Sequence, residues 1–329
     1  MRKLFACTLL TALVAAGAGY AYWTKHRPAG HYLSDLRIQL AINEGVDQGR
    51  GNLLGIEPDL SPRDFQRLDL VHLKLAAYLN SARNDGLLND KTVVVLPEHI
   101  GSWLVFEGEK NELYQAPNLN EAMHMLVLSH PLAFANAWLR ADGDNRTNDA
   151  HLRMKAEPMA RDYQRLFGGL AKEFGVTLVA GSITLPDPRI ENGTLKPGSG
   201  PLYNSSVVFD RNGVPHSPMQ RQLLPTYEEQ SYIQPSPDHH LNVIDTPAGR
   251  LGILVGSDSW YPEHYRALNE QGAQLTSSLP VSTAQAGVTV FLRGKFWDKR
   301  SSGHGFISHD GHNNSENISD GARLLNVWL

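Results

Sequence analysis

Residues 92–98 read Thr-Val-Val-Val-Leu-Pro-Glu, a run of β-branched and apolar residues that ends at Pro97 and a carboxylate. A short apolar run of this kind is typical of a strand that is buried on both faces of a sheet. The sequence therefore predicts a buried strand over residues 92–96. The carboxyl end of that strand would place Glu98 at the edge of the sheet, where strands deliver functional side chains.

Signals for strands and helices alternate on both sides of this run, from about residue 30 to residue 290. Such alternation is the pattern of an α/β protein in which helices pack on sheets. Helices are predicted over residues 63–84, 156–174 and 262–271. Further strands are predicted over residues 36–42, 176–180, 205–209, 242–244 and 251–255, with a short one that ends at residue 280. Residues 107–150 and 185–201 are rich in Asn, Asp, Pro and Gly and are predicted to be loops or insertions.

The charge and cysteine content exclude several classes of function. Lys and Arg number 30 against 34 Asp and Glu, so the net charge is only −4, and no basic run marks a nucleic-acid surface. The only cysteine is Cys7, which lies in an apolar segment near the N-terminus. Disulfides within the chain, cysteine metal sites and a cysteine nucleophile in the folded body are therefore excluded.

The N-terminal segment resembles a membrane anchor. Two basic residues, 2–3, precede an uncharged stretch over residues 4–23, and about 20 apolar residues at ~1.5 Å each cross a ~30 Å hydrocarbon core. We expect an uncleaved anchor within residues 1–28 that keeps the body on the extracytoplasmic side. The alternative is a cleaved signal that leaves a secreted or periplasmic protein, because the small residues 16–18 suit a signal peptidase.

Separated fragments of the body resemble the nitrilase, or carbon-nitrogen hydrolase, superfamily. They occur in family order over about 200 residues and comprise the strand with its general-base glutamate (93–98), a helix and strand (170–182), a hairpin that leads to the family lysine (203–213), the approach to the nucleophile (245–253) and the helix after it (261–273). The resemblance implies a four-layer α-β-β-α sandwich over residues 30–300.

The resemblance also implies a catalytic site with three parts. In this family a cysteine thiolate attacks a nitrile, amide or carbamoyl carbon, a glutamate moves protons and a lysine stabilises the oxyanion. When Asp258, Pro262 and Glu263 are aligned with the family's Cys-x-Asp…Pro-Glu run, Gly256 falls at the cysteine position. The nucleophilic sulfur is therefore missing.

The lysine is missing as well, but the carboxylates are kept. Residues 221–226 align with the nitrilase run Arg-Lys-Leu-x-Pro-Thr and put Gln222 at the lysine position. Glu98 matches the general base, and Glu229 matches the second glutamate that follows the lysine loop. The resemblance thus implies a site that retains the glutamates of the family without its thiol or its cation.

Two functions from different classes remain open. The first is a pseudoenzyme that binds a small acyl- or amide-type ligand or serves in assembly. The second is an active hydrolase or acyltransferase on C–N bonds with unusual site residues, in which Ser257 would replace the cysteine. Ser257 is offset by one residue from the cysteine position and needs a base. Because losing such a nucleophile typically lowers the rate by about 10⁴ to 10⁶, the first function is favoured.

The C-terminal region resembles the family least. His304, His309 and His312 lie among Ser, Gly, Asn and Asp, which is more typical of a solvated loop than of a metal site, and we expect no metal or cofactor. Residues 301–329 are predicted to be a polar tail. Without the further strands of the family, a sheet edge would stay open and favour pairing into a homo-oligomer.

Overall fold

The computed structural model describes residues 2–25, 34–277, 286–301, 303–315 and 320–329. Its helices are α1 (Arg2–Lys25), α2 (Leu68–Asn84), α3 (Asn111–Tyr114), α4 (Leu119–Ser129), α5 (Pro131–Arg140), α6 (Arg146–Met154), α7 (Ala156–Tyr163), α8 (Gly169–Phe174) and α9 (Pro262–Glu270). Its strands are β1 (Ile38–Glu44), β2 (Asn52–Glu57), β3 (Thr92–Val95), β4 (Thr177–Pro186), β5 (Arg189–Glu191), β6 (Thr194–Lys196), β7 (Leu202–Phe209), β8 (Gln220–Arg221), β9 (Val243–Thr246), β10 (Gly249–Gly252), β11 (Leu275–Thr276), β12 (Ala286–Thr289), β13 (Lys295–Phe296), β14 (Lys299–Arg300), β15 (Phe306–His309), β16 (His312–Asn314) and β17 (Ala322–Trp328).

Strand β3 lies inside the first large sheet, whose order is β1-β17-β2-β3-β4-β7-β8 among the described residues. It is parallel to both neighbours, with Val94 opposite Leu54 of β2 and Leu178 of β4. All four of its residues are buried. A parallel strand with both faces covered explains the continuous apolar run at residues 92–96, and the prediction of a buried strand there is confirmed.

A second sheet packs face to face on the first, with the order β16-β15-β12-β11-β10-β9 in the described part of the chain. Side chains alternate across β3, because Val93 and Val95 enter the core between the sheets whereas Val94 belongs to the core on the helix side. The inter-sheet core also contains Leu251 and Val288 from the second sheet.

Helices cover the outer face of each sheet. On the first sheet, Leu75 and Leu79 of α2 pack in one core with Phe167, which follows α7. On the second sheet, Tyr265 and Leu268 of α9 pack in a separate apolar cluster. The layers therefore run helix, sheet, sheet, helix, and the α/β fold expected from the alternating pattern is present.

The predicted loop over residues 107–150 is wrong, since the structure places α3, α4, α5 and α6 there. The polar residues that indicated a loop act as helix ends. The side chains of Asn118 and Asn145 accept hydrogen bonds from the backbone N–H groups of Glu121 and Asn148, at 2.9 and 3.1 Å. Asparagine caps a helix N-terminus well, so a cluster of such residues indicates helix boundaries as readily as loops.

The predicted polar tail over residues 301–329 is also wrong. Strands β15 and β16 extend the second sheet from β12, and β17 lies between β1 and β2 in the first sheet. Every residue of β17 is buried, including Asn326, whose side chain accepts a hydrogen bond from Asn52 at 2.6 Å. The polar residues within β17 masked its apolar pattern. The C-terminal region therefore supplies strands that were expected to be missing, and the homo-oligomer stays a prediction.

The uncharged N-terminal segment forms α1. Among the residues that the structure describes, no helix combines the length and the apolarity needed to cross a membrane. The prediction of a membrane anchor over residues 4–23 is therefore not supported. Residues 26–28 of the predicted anchor or signal, and the strand end predicted at residue 280, lie outside the described residues.

Candidate functional site

Glu98 lies just beyond β3, at the wall of a cavity of about 580 Å³. Its Oε1 accepts a hydrogen bond from the side-chain amide of Asn204 on β7 at 2.8 Å, and 33% of its side chain is exposed. Burial raises the pKa of the Glu98 carboxyl, and the nearby charge of Glu229 adds to this effect while His99 opposes it. The end of the strand thus delivers the carboxylate to a cavity.

A bulge in β4 holds the loop that carries Glu98. The register between β4 and β7 shifts between Val179 and Ser182, and Gly181 within it has φ +67°. A Cβ at Gly181 would lie 2.1 Å from the carbonyl oxygen of Pro97, so only glycine allows this close approach. The Ser182 hydroxyl then accepts the backbone N–H of His99 at 2.8 Å.

Gln222 belongs to an uncharged chain of hydrogen bonds that leads away from Glu98. Asn204 donates to Gln222 Oε1 at 3.1 Å, and Gln222 Nε2 donates to the Ser257 hydroxyl at 3.1 Å. Ser257 in turn donates its proton to the carbonyl oxygen of Leu224 at 2.5 Å. The hydroxyl of Ser257 is committed to a backbone acceptor and contacts no base among the described residues, so its geometry is not that of an activated nucleophile.

Gly256 lies against Glu98. It begins the short 3-10 turn Gly256–Trp260 with φ +54°. A Cβ at Gly256 would lie 2.1 Å from Glu98 Oε1 and 2.6 Å from Glu98 Cδ. The place where the resemblance expects a cysteine side chain is therefore occupied by the carboxyl group of Glu98.

Asp258 joins the turn at Gly256 to the segment after Gln222. Its carboxylate is buried and accepts the backbone N–H groups of Leu223 and Leu224, at distances of 2.7 to 3.0 Å. Burial raises the pKa of Asp258 to about 6, although these hydrogen bonds oppose the increase. Asp258 thereby fixes the relative position of Gln222 and Ser257.

His99 is the site residue that the sequence analysis missed. Its Nε2 lies 3.0 Å from Glu229 Oε1 and 3.5 Å from Glu98 Oε1. The other oxygen of Glu229 accepts the backbone N–H and the hydroxyl of Thr226 at 2.8 and 2.7 Å. The sequence did offer one indication of a role for His99, namely that a titratable residue follows Glu98 directly. Nothing in the sequence placed Glu229 beside His99.

The charges of this Glu98–His99–Glu229 triad reinforce one another. Burial lowers the pKa of His99, but the two carboxylates outweigh it and raise the pKa to about 9. Burial raises the pKa of Glu229, but the hydrogen bond from His99 and the contacts with Thr226 outweigh it and lower the pKa to about 2. Near neutral pH the imidazole is therefore a cation held between two carboxyl groups.

We expect the triad to make stability depend on pH. The pKa of His99 rises from 6.5 in the unfolded chain to about 9 on folding, so its stabilising contribution is complete below pH 6.5 and is lost as the pH rises through 9. The melting temperature of the wild type should therefore exceed that of His99→Gln by less at pH 9.5 than at pH 6. Thermal melts across this range measure the difference, and a constant difference would contradict the assigned triad.

Among the described residues, the triad is the one group of three whose ligand atoms lie close enough to hold a metal ion, all within 4.8 Å. In the structure Nε2 of His99 lies 3.0 and 3.5 Å from the two carboxylates, which is the geometry of an ion pair, so we assign the group as an ion triad. His309 and His312 are instead paired with each other in the register of β15 and β16.

The rest of the cavity wall is aromatic and hydroxylated, with a basic side. Trp103 and Tyr232 line it near the triad, and Arg293, Lys299 and Arg300 line it from another segment. Two further lining groups lie deep in the wall. These are the hydroxyls of Ser206 and Thr289, which are buried and have no hydrogen-bond partner among the described residues.

Comparisons with known proteins show the family of the chain. Residues 92–298, more than half of the chain, match the family model for carbon-nitrogen hydrolases. A deaminated glutathione amidase from Yersinia enterocolitica is 28% identical over 194 residues, which are 55% of this chain and 60% of that protein. An N-carbamoylputrescine amidase from Arabidopsis thaliana is 30% identical over 76 residues, 22% of this chain and 25% of that protein. The matched part of the chain thus spans less than two thirds of the length of each of these curated relatives.

Solved structures share the fold over a larger part of the chain. The amidase from Nesterenkonia sp. AN1 superimposes with a TM-score of 0.53 at 16% identity, covering 87% of this chain and 93% of that one. A nitrilase-superfamily member of branch 10 from Saccharomyces cerevisiae has a TM-score of 0.51 at 13% identity, covering 84% and 89%. With the family model matched over residues 92–298 and the sandwich in place, the chain belongs to the carbon-nitrogen hydrolase family of the nitrilase superfamily.

Proposed function

We propose that this protein binds a small amide- or acyl-type ligand in the cavity at Glu98 and does not hydrolyse it through a covalent intermediate. The observation that carries the proposal is the contact at Gly256. Glycine offers no side-chain nucleophile at the position that aligns with the family cysteine, and a Cβ there would lie 2.1 Å from Glu98 Oε1, so the carboxyl of Glu98 takes up the space beside it. The ligand class follows from the amidases among the relatives.

The remaining groups do not replace the missing chemistry. Gln222 carries no charge with which to stabilise an oxyanion, and its amide is bonded to Asn204 and Ser257. Ser257 gives its proton to a backbone carbonyl. A covalent mechanism needs a nucleophile together with a base that deprotonates it, and these contacts supply neither at Ser257.

Several features of the cavity support binding. Its volume of about 580 Å³ lies within the ~300–1,000 Å³ typical of small-molecule sites. Its wall combines aromatic side chains with polar groups that a ligand can reach, among them the partly exposed side chains of Glu98 and His99.

One observation favours a second candidate, an active hydrolase. The raised pKa of the Glu98 carboxyl beside a cavity suits a general base that activates water directly. Such a hydrolase would act without a covalent intermediate. One assay with a panel of substrates separates this hydrolase from the binding protein.

The experiment incubates the protein with four kinds of substrate: an amide, a nitrile, an N-carbamoyl compound and an acyl ester. We expect no turnover above buffer from the wild type, because no nucleophile is activated. Glu263→Gln, an exposed glutamate on α9, is the matched control for Glu98→Gln. Turnover that is lost in Glu98→Gln and kept in Glu263→Gln would establish the water-activating hydrolase. Turnover that is lost in Ser257→Ala would identify a serine nucleophile.

A further inference from the structure

The loop after β3 carries one residue, His99, that is both positively charged and held in a strained backbone conformation. His99 has φ +60°, in the left-handed region that a non-glycine residue adopts at a cost of about 1–2 kcal/mol. Such strain persists where surrounding contacts fix it, and it concentrates at functional sites. Here the contacts are the backbone N–H donated to Ser182 at 2.8 Å and the ring nitrogen held 3.0 Å from Glu229.

The ring of His99 is oriented by one nitrogen and leaves the other available. Nε2 donates to Glu229, whose second oxygen is fixed by Thr226, so the carboxylate cannot rotate freely. Nδ1 makes no hydrogen bond within the described part of the chain, and 36% of the side chain is exposed where it lines the cavity. A protonated imidazole carries a hydrogen on both nitrogens, so Nδ1–H is a donor that has no acceptor among the described residues.

From this geometry we infer that His99 is the specificity-determining cation of the cavity and that its Nδ1–H donates to an oxygen of the ligand. The ligand would therefore present a carbonyl or carboxylate oxygen at this point. This inference rests on the proposed binding function and names the acceptor chemistry that the ligand needs. Glu98 and Glu229 act as positioning residues that hold the imidazolium.

The titratable groups around His99 set the expected pH dependence. Glu98 comes from the same loop, and Glu229 and Tyr232 come from the turn that packs against it. The other charged groups that line the cavity are Glu228, Arg293, Lys299 and Arg300. Of these, Glu98 and Glu229 contact the ring. Binding of an oxygen acceptor should weaken as the imidazolium loses its proton, because a charged donor forms a stronger hydrogen bond than a neutral one.

The first arm of the test needs no ligand. The imidazole ¹⁵N signals of His99 and His72 are followed by NMR as the pH is raised, since His72 pairs with Glu173 at 2.9 Å and does not line the cavity. We expect the midpoint of His99 to lie well above the ordinary 6.5 and to fall by at least about one pH unit in Glu229→Gln, a substitution that should leave the His72 signals unchanged. A His99 midpoint at 6.5 in the wild type would overturn the triad and the inference with it.

The second arm measures the affinity for glutaramate, a monoamide with a carboxylate. We expect His99→Gln to weaken binding about tenfold at pH 7 and to abolish its pH dependence, while His72→Gln binds as the wild type does. Unchanged affinity in His99→Gln would overturn the inference and leave the proposed function intact. If the wild type binds none of the amide and acyl probes, the proposed function fails, while the midpoints of the first arm still report on the triad.

Discussion

Replacing Gly256 by alanine is expected to destabilise the protein by about 3 kcal/mol. Part of this loss, about 1–2 kcal/mol, comes from a left-handed φ of +54° at a non-glycine residue. The rest comes from the new Cβ, which would lie 2.1 Å from Glu98 Oε1 and would push the carboxylate away from Asn204. Denaturant unfolding of the two proteins measures the difference.

A double-mutant cycle separates the two parts. In a Glu98→Ala background the Cβ meets no carboxylate, so Gly256→Ala should then cost only about 1–2 kcal/mol, the backbone part of the loss. Gly86→Ala is the matched control, because Gly86 has φ +73° and nothing within 4 Å of an added Cβ. If Gly256→Ala costs no more than Gly86→Ala in the wild type, the carboxylate does not fill the cysteine position.

Replacing Leu325 by alanine is expected to cost about 2–5 kcal/mol, the range for a leucine removed from a tight core. Leu325 lies in β17, is fully buried and packs between the two sheets with residues such as Leu53 and Val288. The cavity left behind would be shared by both sheets, which cannot close on it without moving their strands. Thermal or denaturant unfolding of Leu325→Ala measures the loss.

Asn313→Ala provides the control for this prediction. Asn313 lies within the same C-terminal region but is exposed on β16, so its replacement should change stability by no more than about 0.5 kcal/mol. If both variants have the stability of the wild type, residues 301–329 behave as a tail and β17 does not hold the first sheet together.

The fold could be predicted from the sequence where a segment has a clear apolar pattern and a clear end. The run at residues 92–96 and the helix that ends at Gly175, whose φ is +68°, were both visible in the sequence. The region of α3 to α6 was not, because asparagine signals a loop and a helix cap equally well. Strand β17 was hidden for another reason, since its buried Arg323 and Asn326 find polar partners only through the tertiary fold.

The site was predictable in composition but not in geometry. The alignment of fragments singled out Glu98, Gln222 and Gly256, and the structure brings them together through Asn204. Two facts depend on three-dimensional contacts that no local pattern encodes. One is that the carboxyl of Glu98 occupies the space of a side chain at Gly256. The other is that His99 bridges two glutamates that are 131 residues apart in the chain, 98 and 229.

We hold that the cavity binds its ligand without hydrolysing it, and a calorimetric titration followed by an ammonia assay examines both parts of this statement. Glutaramate is titrated into the wild-type protein, and after a day at 25 °C the ammonia in the same cell is measured against a cell without protein. We expect saturable heat, lost in Glu98→Gln, and no ammonia above the protein-free cell. Ammonia released in amounts that exceed the protein would show turnover and overturn the proposed binding function.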